Sequence, residues 1–205
     1  MDSNKDNQSA ETSPEKATSA AGPNYFLLFL QLLVSPNSGW RRIKGVKADP
    51  ARFATNIFYR LLALMAIARF CVLIPKPDTS VALILQHAVI AFVSFFGSYF
   101  GSYALCCAVL PPVARDKMRT PYGKVLVAAG FSVLALGYTL SLIAPHLKAL
   151  LWLGALYSLY IICRGVKFLH VPHSDSVATC TVICAFNIIM PAAIGWLLSS
   201  LMPAV

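Results

Sequence analysis

The chain has 205 residues, of which 58 % are apolar and only 12 % charged, with a net charge of +9. So small a charged fraction, against about 25 % in soluble domains, excludes an ordinary soluble globular domain. The positive charge does not point to nucleic acid: the basic residues sit in short stretches between apolar runs, where they set orientation and meet anionic headgroups.

Residues 1–24 are polar and mixed in charge, with Asp2, Asp6, Glu11 and Glu15 against Lys5 and Lys16. They lack the apolar core and cleavage site of a secretory signal, and are expected to form a disordered polar tail. The rest, 25–205, reads as one membrane domain. Tyr25–Val34 is apolar but about half the roughly 20 residues that a helix needs to span. It is expected to lie on the cytoplasmic face or to pack under the bundle. Ser35, Pro36 and Gly39 break it, and Trp40 suits the headgroup level. Arg41, Arg42, Lys44, Lys47 and Arg52 follow as a basic juxtamembrane stretch.

Five spans are predicted, at about 56–74, 81–110, 125–143, 147–163 and 177–201, giving an all-α bundle of five transmembrane helices with a short interfacial N-terminal helix. Prolines 75, 77, 111, 112 and 145 punctuate them. Asp49-Pro50, Thr79 or Ser80, Thr120-Pro121 and Ser174 to Ser176 are cap signals. The second span is overlong, near 45 Å at 1.5 Å per residue, so it tilts or protrudes.

Loop charge predicts the orientation. With the N-terminus inside, the cytoplasmic stretches hold Arg41, Arg42, Lys44, Lys47, Arg52, Arg115, Lys117, Arg119, Lys124, Arg164 and Lys167, and the outer loops hold Lys76 and Lys148. Because Lys and Arg are retained on the cytoplasmic side, the N-terminus is expected in the cytoplasm and the C-terminus outside.

None of the eight carboxylates falls inside a predicted span, which excludes a buried carboxylate relay of the kind used by proton-coupled carriers. Arg60 and Arg69 lie in the first span, nine residues and so about 180° apart. Each is expected to snorkel to its nearer headgroup layer, or else to face the bundle as a basic site. Gln86 and His87 fall at the outer membrane boundary. Gly97 and Gly101 form G-x-x-x-G, with Ser94, Ser98 and Ser102 at the same spacing, a small-residue face for close helix packing and, less simply, for self-association. Pro191 removes a hydrogen bond to the Asn187 carbonyl, so a kink is predicted.

The six cysteines lie in apolar runs without a C-x-x-C pair and read as small packing residues. His170, His173, Cys163, Cys180 and Cys184 come near one another at the ends of two spans, but their spacing fits no metal signature. No H-E-x-x-H, P-loop, G-x-G-x-x-G or Ser-His-Asp order is present. The sequence therefore assigns no catalytic, cofactor or metal residue.

Two further stretches carry a family resemblance. One runs from Leu32 through Pro36 to Trp40-Arg41-Arg42-Ile43. The other is Leu156-Tyr157-Ser158-Leu159-Tyr160, followed by Gly165 and a proline-containing last span. With the five-span layout, they resemble the Yip family of membrane proteins, named for interaction with Ypt/Rab GTPases. The tail lacks the Asp-Leu-Tyr-Gly-Pro type motif of eukaryotic members, so the resemblance implies a bacterial-type member in an inner membrane. It supplies no catalytic residues. It implies a non-enzymatic protein that organises the bilayer or other membrane proteins, with Arg41, Arg42, Lys44 and Lys47 on anionic lipid. The alternatives are a small permease or channel, with Pro191 and Tyr138 lining a path to midplane, and a lipid-modifying enzyme using His170, His173 or a cysteine.

Overall fold

The computed structural model describes residues 23–73, 80–144, 146 and 149–201. It is 91 % helical, with no strand among the described residues. Five helical stretches are long and apolar enough to cross a membrane: Pro50–Val72, Val81–Val109, Pro121–Ile143, Ala149–Leu169 and Ser174–Leu201. The protein is thus an all-α integral membrane protein. The tail at 1–22, Lys76, Lys148 and the proposed cap Thr79 lie outside the described residues.

The elements are α1 (Tyr25–Val34), α2 (Pro36–Gly45), α3 (Pro50–Phe53), α4 (Tyr59–Leu73), α5 (Val81–Val109), α6 (Pro112–Arg119), α7 (Pro121–Ile143), α8 (Ala149–Val166) and α9 (His173–Leu201). A π turn at Ala54–Phe58 joins α3 to α4 into the first span. Caps fall where short polar side chains precede the apolar runs. Asp49 accepts from the Ala51 amide, Ser80 from Leu83 and Thr120 from Gly123, with Pro50 and Pro121 at first helical positions. The first and third spans begin earlier than 56 and 125, because the caps sit at Asp49 and Thr120 and the helices start there. The fifth begins at His173, which places Asp175 in its first turn rather than at a cap.

The Pro36–Gly45 stretch, expected to be a break followed by a basic juxtamembrane stretch, is a helix with proline in its first turn. The stretch after Pro111, read as a basic loop, is helix α6. It buries Ala114 and Met118, and its Arg115 guanidinium donates to the Leu110 carbonyl at the end of α5.

The central helix is α7, buried over most of its length and flanked by α4, α5 and α8. It meets α8 through two glycines: a Cβ on Gly137 would stand 2.8 Å from the Gly154 Cα, so only glycine permits that approach. The small-residue face of α5 packs inside the bundle, with Ser94, Ser98 and Ser102 buried and the Ser102 hydroxyl donating to the Phe186 carbonyl of α9. A Cβ on Gly101 would meet the Met190 Cε at 2.7 Å, and one on Gly97 the Ile194 Cδ1 at 3.5 Å. Helix α9 runs through Pro191 without interruption.

Helices α1 and α2 form a hairpin that enters the bundle beside α8. A Cβ on Gly39 would fall 2.6 Å from the Leu32 Cα, which fixes how closely the two arms pack. Lys44 reaches the Phe168 carbonyl, Trp40 Nε1 donates to the Ile161 carbonyl at 3.0 Å, and the Tyr157 hydroxyl donates to the Leu33 carbonyl. The hairpin tip therefore stands at the level of Tyr157, nine residues or about 13 Å along α8 from Val166. Trp40, expected at the headgroup level, is instead fully enclosed by protein. Tyr122 meets its ring edge-on at 5.4 Å between centroids, and a Cβ on Gly165 would stand 2.8 Å from it. The outward face of α1 (Phe26, Leu27, Leu30 and Val34) is exposed and apolar. A helix apolar on every side belongs in protein or hydrocarbon.

Candidate functional site

One end of the bundle carries Arg41, Arg42, Lys44, Lys47, Arg52, Arg115, Lys117, Arg119, Lys124, Arg164 and Lys167 and is called the basic face below; the other end is the opposite face. A cavity of about 540 Å³ opens between α4, α5, α7, α8 and α9 in the half of the bundle next to the opposite face. That volume lies in the range of small-molecule sites, about 300–1,000 Å³.

Each wall follows from helix register. In α4, Arg69 stands one turn before the end. In α5, His87, Ile90, Ala91, Ser94 and Phe95 repeat at helical spacing and descend from the opposite face to mid-helix. Helix α7 supplies Leu134 and Tyr138, α8 supplies Trp152 and Ala155, and α9 supplies Ile188, Pro191, Ala192, Gly195 and Ser199. Small side chains on α5 and α9 leave the room, and aromatic and aliphatic ones line it. The polar groups lie mostly toward the mouth, where Arg69, His87 and Ser199 stand. Among the described residues the only carboxylate within a span is Asp175, in the first turn of α9 at the basic face, and the one ion pair is Arg52 with Asp49 at 3.7 Å. Among the described residues lining the cavity, the fixed charge is the Arg69 guanidinium.

One turn beyond Leu134, Ala155 and Pro191, toward the basic face, the bundle closes. Asn187 Nδ2 donates to Ser158 Oγ at 2.7 Å, and that hydroxyl donates to the Gly130 carbonyl at 2.9 Å. This buried polar link joins α7, α8 and α9, with Asn187 Oδ1 left without a partner. Such links hold membrane helices together, each contributing about 0.6–2 kcal/mol. Below it, Phe58, Tyr99 and Phe131 pack ring against ring.

Two of the arginines read from sequence thus go to separate places. Arg69 lines the cavity, while Arg60 lines a smaller pocket of about 300 Å³ at the N-terminus of α1, with Arg52, Asn56 and Asn24. The π turn keeps residues 52, 56 and 60 on one side of the helix, and Asn56 Nδ2 donates to the Arg52 carbonyl. His87, placed by sequence at the membrane boundary, faces the cavity. Of the four residues assigned to anionic lipid, two are engaged within the protein. Arg42 donates to Gln31 Oε1 at 2.9 Å, and Lys44 Nζ lies 3.3 Å from the Phe168 carbonyl and 3.0 Å from His170 Nδ1. Arg41 and Lys47 are exposed. Lys47 takes a left-handed backbone, φ 47°, where the chain turns from α2 toward α3.

The cysteines, expected from the sequence to be packing residues, are not all separate. The structure brings three of them together: Cys163 of α8 is bonded to Cys180 of α9, and the Cys184 sulfur lies 3.9 Å from each. The i, i+4 spacing of Cys180 and Cys184 was the available signal; that Cys163 faces them depends on how α8 and α9 pack.

The fold is that of a polytopic membrane protein with a cavity among its spans in the half next to the opposite face. No family model, curated protein or solved structure matches the chain, so no family assignment, the Yip family included, is supported by these comparisons.

Proposed function

We propose that the protein is a non-enzymatic membrane protein that binds an anionic amphiphile, a single-chain carboxylate or phosphate, in the cavity beside the opposite face. The observation that supports this is a largely apolar cavity running from Arg69 and His87 at its mouth to Ser94 and Pro191 at mid-helix. The acyl chain lies against Phe95, Leu134 and Ile188, and the headgroup meets the guanidinium. A floor closed by Asn187 and Ser158 favours binding over an open channel. The excess of Lys and Arg supports placing the basic face in the cytoplasm, so the ligand enters from the outer leaflet.

The test is binding of a fluorescent long-chain carboxylate to the detergent-purified protein, beside an Ala192→Phe variant that fills the cavity. Saturable binding lost in the variant supports the proposal. No saturable binding, or equal binding by the variant, rejects it. Reporter fusions after residues 118 and 201 test the orientation, which predicts opposite compartments. A second reading, an organiser of other membrane proteins as the Yip resemblance implies, is favoured by the unpartnered apolar face of α1. It predicts that other membrane proteins crosslink to positions 26, 30 and 34.

A further inference from the structure

The sulfurs of Cys163, Cys180 and Cys184 lie within 4.8 Å of one another, and the two distances to Cys184 are both 3.9 Å. Three thiolates around one metal ion at about 2.3 Å stand about 4 Å apart. Two of the three edges of that triangle are therefore already in place. The third, between Cys163 and Cys180, is drawn into a bond. The cluster stands on two helices only, with Cys180 and Cys184 one turn apart on α9 and Cys163 one turn before the end of α8. It lies in the half of the membrane next to the basic face, away from the amphiphile cavity. Among the described residues no histidine or carboxylate joins the group; His170 is engaged by the Phe168 carbonyl and Lys44.

We propose that, with the Cys163–Cys180 bond reduced, these three cysteines form a trigonal thiolate site for a soft monovalent metal ion of the Cu(I) type. Soft thiolates select Cu(I), zinc and iron–sulfur clusters. Structural zinc takes four ligands, and three sulfurs with no fourth Cys, His or carboxylate ligand atom within 4.8 Å among the described residues suit the three-coordinate ion. The bonded and ligated forms are alternatives. A phosphine and one water convert the disulfide to two thiols and a phosphine oxide, and metal binding then displaces thiol protons to solvent. The site is independent of the amphiphile proposal, since neither shares a residue with the other.

The experiment uses the full-length protein in detergent, reduced with a phosphine, desalted without oxygen and titrated with Cu(I) against a colorimetric Cu(I) chelator. One equivalent held against the chelator is expected, with ultraviolet sulfur-to-metal charge-transfer absorption. Cys184→Ser, which removes a ligand but cannot disturb the Cys163–Cys180 pair, is expected to bind at least about 100-fold more weakly, since loss of a supporting group alone costs 10–100-fold. Cys71→Ser is expected to bind like the parent. Alkylation mass spectrometry before titration counts the free thiols, so a failure of reduction is detected and repaired rather than scored. Three results overturn the proposal: no copper retained by the fully reduced protein, equal retention by a Cys163→Ser/Cys180→Ser/Cys184→Ser variant of unchanged helicity, or retention of zinc but not copper.

Discussion

The two halves of the bundle use the same helices differently. Next to the basic face the hairpin of α1 and α2 is wedged against α8, and Trp40, Phe53, Phe58 and Met118 are sealed from solvent. Next to the opposite face no extra helix is supplied among the described residues, and α4, α5, α7, α8 and α9 surround a void of about 540 Å³. Five long helices leave more space than their own side chains fill. Whether that space is plugged by backbone or kept open divides the molecule into a structural half and a half that can hold something.

The largest expected effect tests the filled half. Trp40→Ala removes the plug's anchor and its bond to the Ile161 carbonyl, and truncations of buried Trp cost about 3–5 kcal/mol. Thermal unfolding in detergent measures it; a loss below about 1 kcal/mol, the average for any substitution, would make the hairpin a peripheral arm rather than core. Next comes Gly137→Val. The Gly154 backbone cannot yield to a Cβ at 2.8 Å, and overpacking costs about 1–3 kcal/mol. A variant as stable as the parent would mean that the α7–α8 contact is looser than drawn.

The open half is tested through its mouth. Arg69→Gln is expected to weaken binding of a long-chain carboxylate about tenfold, close to 1.4 kcal/mol and just below the about 1.5–3 kcal/mol of a hydrogen bond to a charged group, since Gln keeps a donor, while the unfolding midpoint stays put. Loss of stability with unchanged binding would assign Arg69 to the packed half instead. The smallest effect belongs to the basic surface. Arg41→Gln and Lys47→Gln should each reduce association with anionic lipid by about 1 kcal/mol, read as enrichment of anionic over neutral lipid around the purified protein. Arg42→Gln and Lys44→Gln sharpen the contrast by also loosening Gln31 and the α8 end, which lowers stability as well.

Much of this architecture is written locally. The apolar runs place five spans, and Asp49, Ser80 and Thr120 announce helix starts through their own side chains. Pro36 and Pro112 occupy first-turn positions of α2 and α6, and Gly39, Trp40 and Ile43 in α2 and Ala114 and Met118 in α6 fall at helical spacing, but the runs are so short and so rich in basic residues that the sequence reads as a juxtamembrane stretch and a loop. What local pattern does not carry is which helix faces which. Trp40 carries every mark of a headgroup tryptophan, an aromatic followed by two arginines. Its burial is decided by Gly165 and Tyr122, far away in sequence. The cavity is likewise a property of the space between helices: Ala192 and Gly195 matter there for the volume they omit. Cys163 joins Cys180 and Cys184 for the same reason, through the packing of α8 on α9.

The hairpin's seat is made late. Trp40 bonds to a carbonyl 121 residues further along the chain, and Tyr157 is 124 residues from the Leu33 carbonyl that it meets. While the ribosome is still making the first three spans, the hairpin can meet Phe53 and Tyr122 but not the α8 groups that bond to it, and α1 is too short to cross alone. The hairpin's hydrogen bonds are therefore completed only when α8 is present: a chain cut before residue 149 lacks the Ile161 carbonyl that accepts from Trp40 and the Tyr157 hydroxyl that donates to the Leu33 carbonyl.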